Sequence, residues 1–124
     1  MDINGKVWGT TSVIFNDSNV QVCRIVGKIG GRSSNHKHQS KLSMFFVEKG
    51  SIKVVIEKQD YDLIDTTILT TGQSTIIKPN EFHYFEVLEE GTVCYEIYWT
   101  KLDNDDITRK DVGQCGSIPA MKLG

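Results

Sequence analysis

The chain contains only three histidines, and their spacing is suited to metal binding. His36 and His38 form an H-x-H pair, and residues two apart in a β-strand point to the same face, so both imidazoles can reach one ion. His83 lies far along the chain, where a neighbouring strand could bring it beside the pair. Neutral imidazole nitrogens suit divalent transition metals. We expect His36, His38 and His83 to hold one divalent ion, which is zinc, nickel, manganese or iron.

The segments that must position these histidines have the composition of β-strands. They are short, rich in branched and aromatic residues, and separated by glycine, proline and asparagine turns. Helical periodicity is nearly absent. The predicted strands are residues 7–11, 20–26, 44–47, 52–56, 66–69, 74–77, 83–87 and 93–100. This pattern predicts an all-β sandwich, jelly roll or small barrel.

Length and composition exclude several classes of protein. With 124 residues, 39% hydrophobic and 24% charged, the chain has the size and balance of one domain folded in water. Lys and Arg total 14 against 16 Asp and Glu, without a basic block, so we expect no nucleic-acid binding. It lacks an apolar run of the roughly 20 residues that a membrane span needs, and its start does not resemble a secretory signal. We therefore expect no membrane association and a cytoplasmic location. The odd number of cysteines, without paired spacing, indicates reduced thiols.

The surroundings of the histidines resemble the two conserved motifs of the cupin superfamily. The first motif, G-x5-H-x-H followed by a later glycine, is matched by Gly30, His36, His38 and Gly50, and the second by Gly72, Pro79 and His83. The resemblance implies a single cupin domain over residues 1–124. Its fold would be an antiparallel β-barrel, the double-stranded β-helix or jelly roll, over about residues 6–100. A C-terminal strap would follow at residues 101–124.

Two positions depart from the cupin motifs with physical consequences. Ser43 stands where cupins usually carry a glutamate ligand, and without that carboxylate a bound ion keeps its full charge and more open coordination positions. Both effects favour an anionic ligand. Asn80 replaces the usual glycine of the second motif. Asparagine is among the few other residues that tolerate a left-handed backbone, so we expect the turn to be kept.

A second resemblance extends beyond the metal motifs, to the cupin domain of type II mannose-6-phosphate isomerases. It rests on Lys6-Val7-Trp8-Gly9, on the basic stretch at residues 24–32 and on residues 105–109. The basic residues that match are Arg24, Lys28, Arg32 and Arg109. The resemblance implies a sugar or sugar-phosphate ligand and an isomerase-like or epimerase-like reaction. Arg32, four residues before His36, is our candidate anchor for an anionic group, and Lys28 is a further substrate-binding candidate.

Glu96 and Tyr98 are the polar residues of the last predicted strand that share one face. If that face is inward, Glu96 can serve as a catalytic acid or base and Tyr98 as a substrate-binding residue. The alternative is that Tyr95, Ile97 and Trp99 form the inward, apolar stripe. Strict alternation does not distinguish the two.

Three functions fit these observations. The first is a metal-dependent, isomerase-like cupin acting on a small anionic or sugar-like molecule. The alternatives are a cupin that binds such a ligand without turnover, and a three-histidine non-haem iron dioxygenase, so whether the protein is an enzyme stays open. Met44 and Phe46 alternate with the expected inward residues Phe45 and Val47, so both faces of that strand are apolar. This favours packing against a second sheet or a second subunit, and we expect a homodimer.

Overall fold

The computed structural model describes residues 2–58 and 63–100, which form an all-β, antiparallel fold. Its nine strands are β1 (Ile3–Lys6), β2 (Gly9–Asp17), β3 (Val20–Gly27), β4 (Leu42–Lys49), β5 (Ser51–Lys58), β6 (Leu63–Thr70), β7 (Ser74–Ile77), β8 (His83–Val87) and β9 (Thr92–Trp99). They form a six-stranded sheet in the order β1-β2-β3-β9-β4-β7 and a three-stranded sheet in the order β6-β5-β8. The predicted fold class is confirmed.

The core lies between the inner faces of the two sheets. Alternate residues of β4 and β8 are buried, which is the period-two pattern expected of a sheet with one face on the core. The buried apolar cluster consists of Ile25, Phe45, Val47, Ile52, Val54, Ile56, Leu69, Ile77, Phe85, Val87 and Cys94. The inward positions of Phe45 and Val47 are as expected from the sequence.

The N-terminal region differs from the prediction of one strand at residues 7–11. Val7 and Trp8 instead form the turn of a hairpin in which Lys6 pairs with Gly9. β1 escaped prediction because all four of its residues are exposed, so it carries no hydrophobic alternation. The hairpin needs glycine at position 9, whose φ is +145° and where a Cβ would overlap the carbonyl oxygen of Val26.

The segment between β3 and β4 extends the three-stranded sheet beyond β8. Gly30 N donates to Val87 O over 2.9 Å, and Ser33 N donates to Phe85 O over 3.0 Å. Farther along, His36 and His83 exchange both backbone hydrogen bonds, of 3.1 and 2.9 Å. This pairing carries the H-x-H pair to the start of β8 and so to the third histidine.

Several sequence expectations concern the rest of the chain. Cys23 and Cys94 are free thiols, with Cys94 buried in the core. Cys115, Arg109 and the expected strap at residues 101–124 lie outside the described residues. In the described part of the chain, no helix is long and apolar enough to cross a membrane.

Candidate metal centre

The fold brings the three histidines together at one end of β8. Each offers a ring nitrogen, and these nitrogens all lie within 4.8 Å of one another. The ring centroid of His36 is 5.1 Å from that of His38 and 4.6 Å from that of His83. His38 is held in place because its carbonyl oxygen accepts a 2.7 Å hydrogen bond from Asn80 N. Asn80 has a φ of 66°, so its predicted left-handed conformation is confirmed.

Backbone carbonyls fix the tautomer of two of these rings. Nδ1 of His36 lies 2.9 Å from Ser34 O, and Nδ1 of His83 lies 3.0 Å from Glu81 O. A carbonyl oxygen only accepts hydrogen bonds, so each Nδ1 must carry the proton. The Nε2 lone pair of both rings is then free. Metal-binding histidines in proteins are oriented by the same kind of outer hydrogen bond.

Two of the inner nitrogens have no hydrogen-bond partner among the described residues and are suited to hold a metal ion. Nε2 of His38 and Nε2 of His83 are buried and lack a hydrogen-bond partner among the described residues. Buried polar atoms are rarely left unpaired, so such a pair requires an explanation. Burial, followed by the nearby charge of His36, lowers the pKa of His38. Burial also lowers the pKa of His83, against a smaller opposing effect of its hydrogen bond to Glu81. Both effects favour the neutral imidazole that a metal requires.

The structure decides which face of β9 is inward. Cys94 and Glu96 are buried, and Glu96 pairs in register with the buried Phe45 of β4. The ring centroid of Tyr98 lies 5.1 Å from that of His38, edge to face. Glu96 and Tyr98 therefore belong to the histidine site. The alternative stripe of Tyr95, Ile97 and Trp99 lies on the outer face of the sheet.

Glu96 is a buried carboxyl next to the histidines. It is 8% exposed, and its Oε2 is buried without a hydrogen-bond partner in the described residues. Burial raises the pKa of this carboxyl, while the Tyr98 hydroxyl and the charge of His36 partly oppose the rise. Burial and the neighbouring Glu96 carboxylate raise the pKa of Tyr98 in turn, so the phenol keeps its proton. A carboxyl with a raised pKa beside an open site is a common general acid or base.

Ser43 faces the barrel interior beside Tyr98. It is 1% exposed and pairs in register with Tyr98 on one side and with Ile77 on the other. A small residue at position 43 thus stands next to a large inward residue on the adjacent strand. The ring of Tyr98 approaches His38 from this side of the site.

An open cavity of about 520 Å³ lies against His36 and Glu96. It is lined by Gly5, Lys6, Val7, Trp8, Arg32, Ser33, Ser34, His36, Phe85 and Glu96. Trp8 is held there by an edge-to-face contact with Phe85, with ring centroids 5.1 Å apart. Lys6 and Trp8 were absent from the predicted site. The sequence did single out the stretch from Lys6 to Gly9, because it resembles the isomerases, but it did not indicate that this stretch lies beside the histidines.

The structure places the two predicted basic residues differently. Arg32 borders the cavity, but its guanidinium carbon lies 3.9 Å from the ring centroid of Tyr84, on the outer side of β8. Lys28 is exposed just after Gly27, whose added Cβ would contact Val87 at the far end of β8 from His83. At about 3.4 Å per residue, four residues separate that end from His83 by about 13 Å. Lys28 is thus not brought to the histidines.

Comparison with known proteins agrees with this geometry. The family profile described as Cupin domain (Cupin_2) matches residues 25–99, which include all three histidines and Glu96. The chain belongs to the cupin family. Cupins usually bind a metal, and in this cupin the three histidines provide the candidate site; the closer resemblance to mannose-6-phosphate isomerases stays a prediction.

Relatives of this cupin include a pectin degradation protein. The pectin degradation protein KdgF of Dickeya dadantii is 32% identical over 89 residues, which cover 72% of this chain and 74% of the relative. Similar solved structures include KdgF from Halomonas sp., with a TM-score of 0.70, 13% identity, and coverage of 82% and 90% of the two chains. Bacillus subtilis oxalate decarboxylase, studied for its Mn(II) centres, has a TM-score of 0.70 at 15% identity, over 80% of this chain and 27% of that one. These two structures support the fold.

Proposed function

We propose that this cupin is a metal-dependent enzyme that moves a proton on a small anionic sugar, with a sugar acid as the first candidate substrate. The observation that carries the proposal is the shared cavity. His36 from the metal cluster and the buried carboxyl of Glu96 both line it. A ligand in this cavity would therefore contact the metal site and a proton-transfer group at once.

The residues divide into distinct roles. His36, His38 and His83 would hold the divalent ion, which, when bound, polarises a carbonyl or hydroxyl oxygen of the sugar. Glu96 would take a proton from the carbon next to a carbonyl group of the bound sugar, leaving the electron pair on the carbonyl oxygen, and then return a proton to a carbon. Tyr98, whose ring lies 5.1 Å from that of His38, donates its hydroxyl hydrogen to the Glu96 carboxyl and so keeps that carboxyl oriented.

The charge around the cavity favours an anion. Lys6 lines it, Arg32 borders it although its guanidinium lies over Tyr84 on the outer side of β8, and Glu96 is the single acid among the residues that line it. Without a carboxylate at Ser43, three neutral imidazoles leave the charge of a divalent ion uncompensated. The named role of the Dickeya relative in pectin degradation supports a ligand derived from a saccharide.

Proton transfer can be tested by isotope exchange. The metal-loaded protein would be incubated in D₂O with a panel of hexuronic acids, sugar phosphates and neutral hexoses, and deuterium uptake followed by NMR. Glu96→Gln keeps the shape but loses the base, so exchange should fall by about 10²-fold or more. The matched control Glu89→Gln changes an exposed glutamate outside the cavity lining and should retain full exchange. Equal rates in the two variants would remove Glu96 from the mechanism.

The anionic preference can be tested by calorimetric titration. Lys6→Ala should weaken binding of the acidic sugars by about fivefold, since an exposed charge contributes on the order of 1 kcal/mol. It should leave neutral sugars unaffected. The matched control is Lys28→Ala, which changes an exposed lysine just after β3, near the end of β8 that is farther from His83. This variant should bind like the wild type. If Lys6→Ala weakens acidic and neutral sugars alike, the preference has another cause.

The same assays, with a measurement of oxygen uptake, address the two other functions. Tight binding of an acidic sugar without exchange or conversion would favour a binding module, for which the serine at position 43 is the supporting observation. Oxygen uptake that requires iron would favour the dioxygenase. Failure of every sugar in the panel to bind would end the sugar-acid proposal.

A further inference from the structure

A second cavity lies at the end of the barrel where β9 ends and β2 turns into β3. It has a volume of about 150 Å³, compared with about 520 Å³ for the first cavity, the one beside His36 and Glu96. The two cavities have no lining residue in common among the residues that the structure describes. The second cavity is thus separate from the first, and its smaller size suits one unit of a ligand. Its lining includes Asn16, Asn19, Gln21, Lys41, Tyr98 and Trp99.

A row of uncharged polar side chains runs across the inner face of the larger sheet at this cavity. Strand register places Asn16, Gln21, Tyr98 and Ser43 side by side across β2, β3, β9 and β4. Residues that pair in register share one face of a sheet, and Ser43 is buried, so the row faces the barrel interior. Its members are two amides and two hydroxyl groups. Such groups both donate and accept hydrogen bonds, as the hydroxyl groups of a sugar require.

Tyr98 connects the second cavity with the histidine site. Its ring centroid lies 5.1 Å from that of His38, and its hydroxyl donates a hydrogen bond to the carboxyl of Glu96. Glu96 lines the first cavity, and Tyr98 lines the second. Residues two apart in a strand are separated by only about 7 Å, so the two cavities adjoin. A ligand bound beside Glu96 can therefore extend past Tyr98 into the second cavity.

Lys41 provides a positive charge in the second cavity. It is exposed, and its Nζ lies 5.6 Å from the centroid of the inward ring of Tyr98. The acid in the lining is Asp17, which follows Asn16 in β2 and so points to the opposite face of the sheet. Oδ1 of Asp17 accepts a 2.7 Å hydrogen bond from Ser18 N in the turn. The ammonium group of Lys41 therefore favours an anionic group on a ligand that lies against Tyr98.

We propose that the second cavity is a subsite for a further sugar unit, so that acidic disaccharides bind more tightly than single sugar acids. This inference rests on the sugar-acid function proposed above. One unit lies in the first cavity, at the metal site and Glu96. The next unit places its hydroxyl groups against the polar row and its carboxylate against Lys41. The rings of Tyr98 and Trp99 provide apolar surface for the C–H groups of that unit.

The test is calorimetric titration of the metal-loaded full chain with pairs of ligands. Galacturonic, mannuronic and guluronic acids are each titrated as the monosaccharide and as the 1,4-linked disaccharide. The wild type should bind at least one disaccharide about tenfold more tightly than its monosaccharide, because the second unit adds hydrogen bonds and a charge contact. The ratio of the two affinities is the readout, since it cancels any effect of a substitution on the metal or on the first cavity.

Two substitutions in the second cavity should lower this ratio. Lys41→Ala should lower it by about fivefold, the effect expected of an exposed charge contact. Asn16→Ala removes an exposed amide of the polar row and should lower it by about threefold. The matched control is Lys37→Ala, which changes an exposed lysine whose Nζ lies 4.9 Å from the Phe82 ring, outside the lining of both cavities. Lys37→Ala should keep the wild-type ratio, and thermal unfolding shows that each variant folds.

Three results would overturn the proposal. Equal affinity of the wild type for each monosaccharide and its disaccharide would mean that the second cavity takes no sugar unit, as it would if residues 101–124 of the same chain fill it. An unchanged ratio in both Lys41→Ala and Asn16→Ala would place the second unit elsewhere. An equal fall in Lys41→Ala and Lys37→Ala would assign the effect to general charge near the metal. The sugar-acid function is tested separately, because it predicts binding and deuterium exchange of the monosaccharides, which need only the first cavity.

Discussion

Replacing Ser43 by glutamate restores the residue that cupins usually have and tests the geometry of the metal site directly. The serine is 1% exposed and lies between Tyr98 and Ile77 in register, facing the barrel interior. Glutamate adds three heavy atoms there. The new side chain must displace part of the Tyr98 ring, which stands 5.1 Å from His38. Ser43→Gln is the matched control, because it has the same size without the charge.

The two variants should differ in a metal-dependent way. Without metal, Ser43→Gln should lower the free energy of unfolding by about 1–3 kcal/mol through overpacking. Ser43→Glu should lose about a further 1–3 kcal/mol, because its buried carboxyl has no partner. With metal, the carboxylate can fill a coordination position, and Ser43→Glu should then bind the ion at least about tenfold more tightly than Ser43→Gln, or about 1.4 kcal/mol. It should also bind anionic sugars more weakly, since it cancels charge at the ion.

The measurements are urea unfolding in chelator and in saturating zinc or nickel, and calorimetric titration of each ion. The stability of Ser43→Glu should recover on metal addition by more than that of Ser43→Gln, as linkage requires for tighter binding to the native state. Equal metal affinity in the two variants would show that position 43 does not face the ion. Ser43 would then be a packing residue beyond the reach of the ion.

Two further predictions concern pH and the second-motif turn. The pKa values of His38 and His83 in the folded protein lie below the ordinary value of 6.5. Just below that pH, the unfolded chain therefore binds more protons than the folded chain does. The metal-free protein should become less stable as the pH falls through this window. Urea unfolding in chelator at pH 7.5 and 5.5 should show a smaller loss in His38→Asn than in the wild type, and an unchanged loss would contradict this. Asn80 has a φ of 66°, so Asn80→Ala should cost about 1–2 kcal/mol of unfolding free energy and Asn80→Gly far less, and equal values in thermal unfolding would refute the backbone argument.

Much of the fold could be predicted from the sequence because it depends on local patterns. β7 and β8 lie where the alternation placed them, at Ser74–Ile77 and His83–Val87. The central strands β4 and β5 are longer than the sequence predicted, since pairing with neighbouring strands determines where a strand ends. β1 and the last residues of β2 were missed, because exposed strands such as Ile3–Lys6 are held by hydrogen bonds and carry no hydrophobic signal.

The sequence by itself predicted that the three histidines come together, because all three fall on the histidine positions of the two cupin motifs. Which face of β9 is inward was decided by the tertiary structure alone. An alternating strand has two equivalent descriptions, and only its pairing with the buried Phe45 turned Glu96 and Tyr98 towards the histidines. Which residues line the cavity was also decided by the tertiary structure. The hairpin of β1 and β2 places Lys6 in the lining of the cavity, whereas Lys28, just after β3, lies near the end of β8 that is farther from His83. Neither position follows from spacing along the chain.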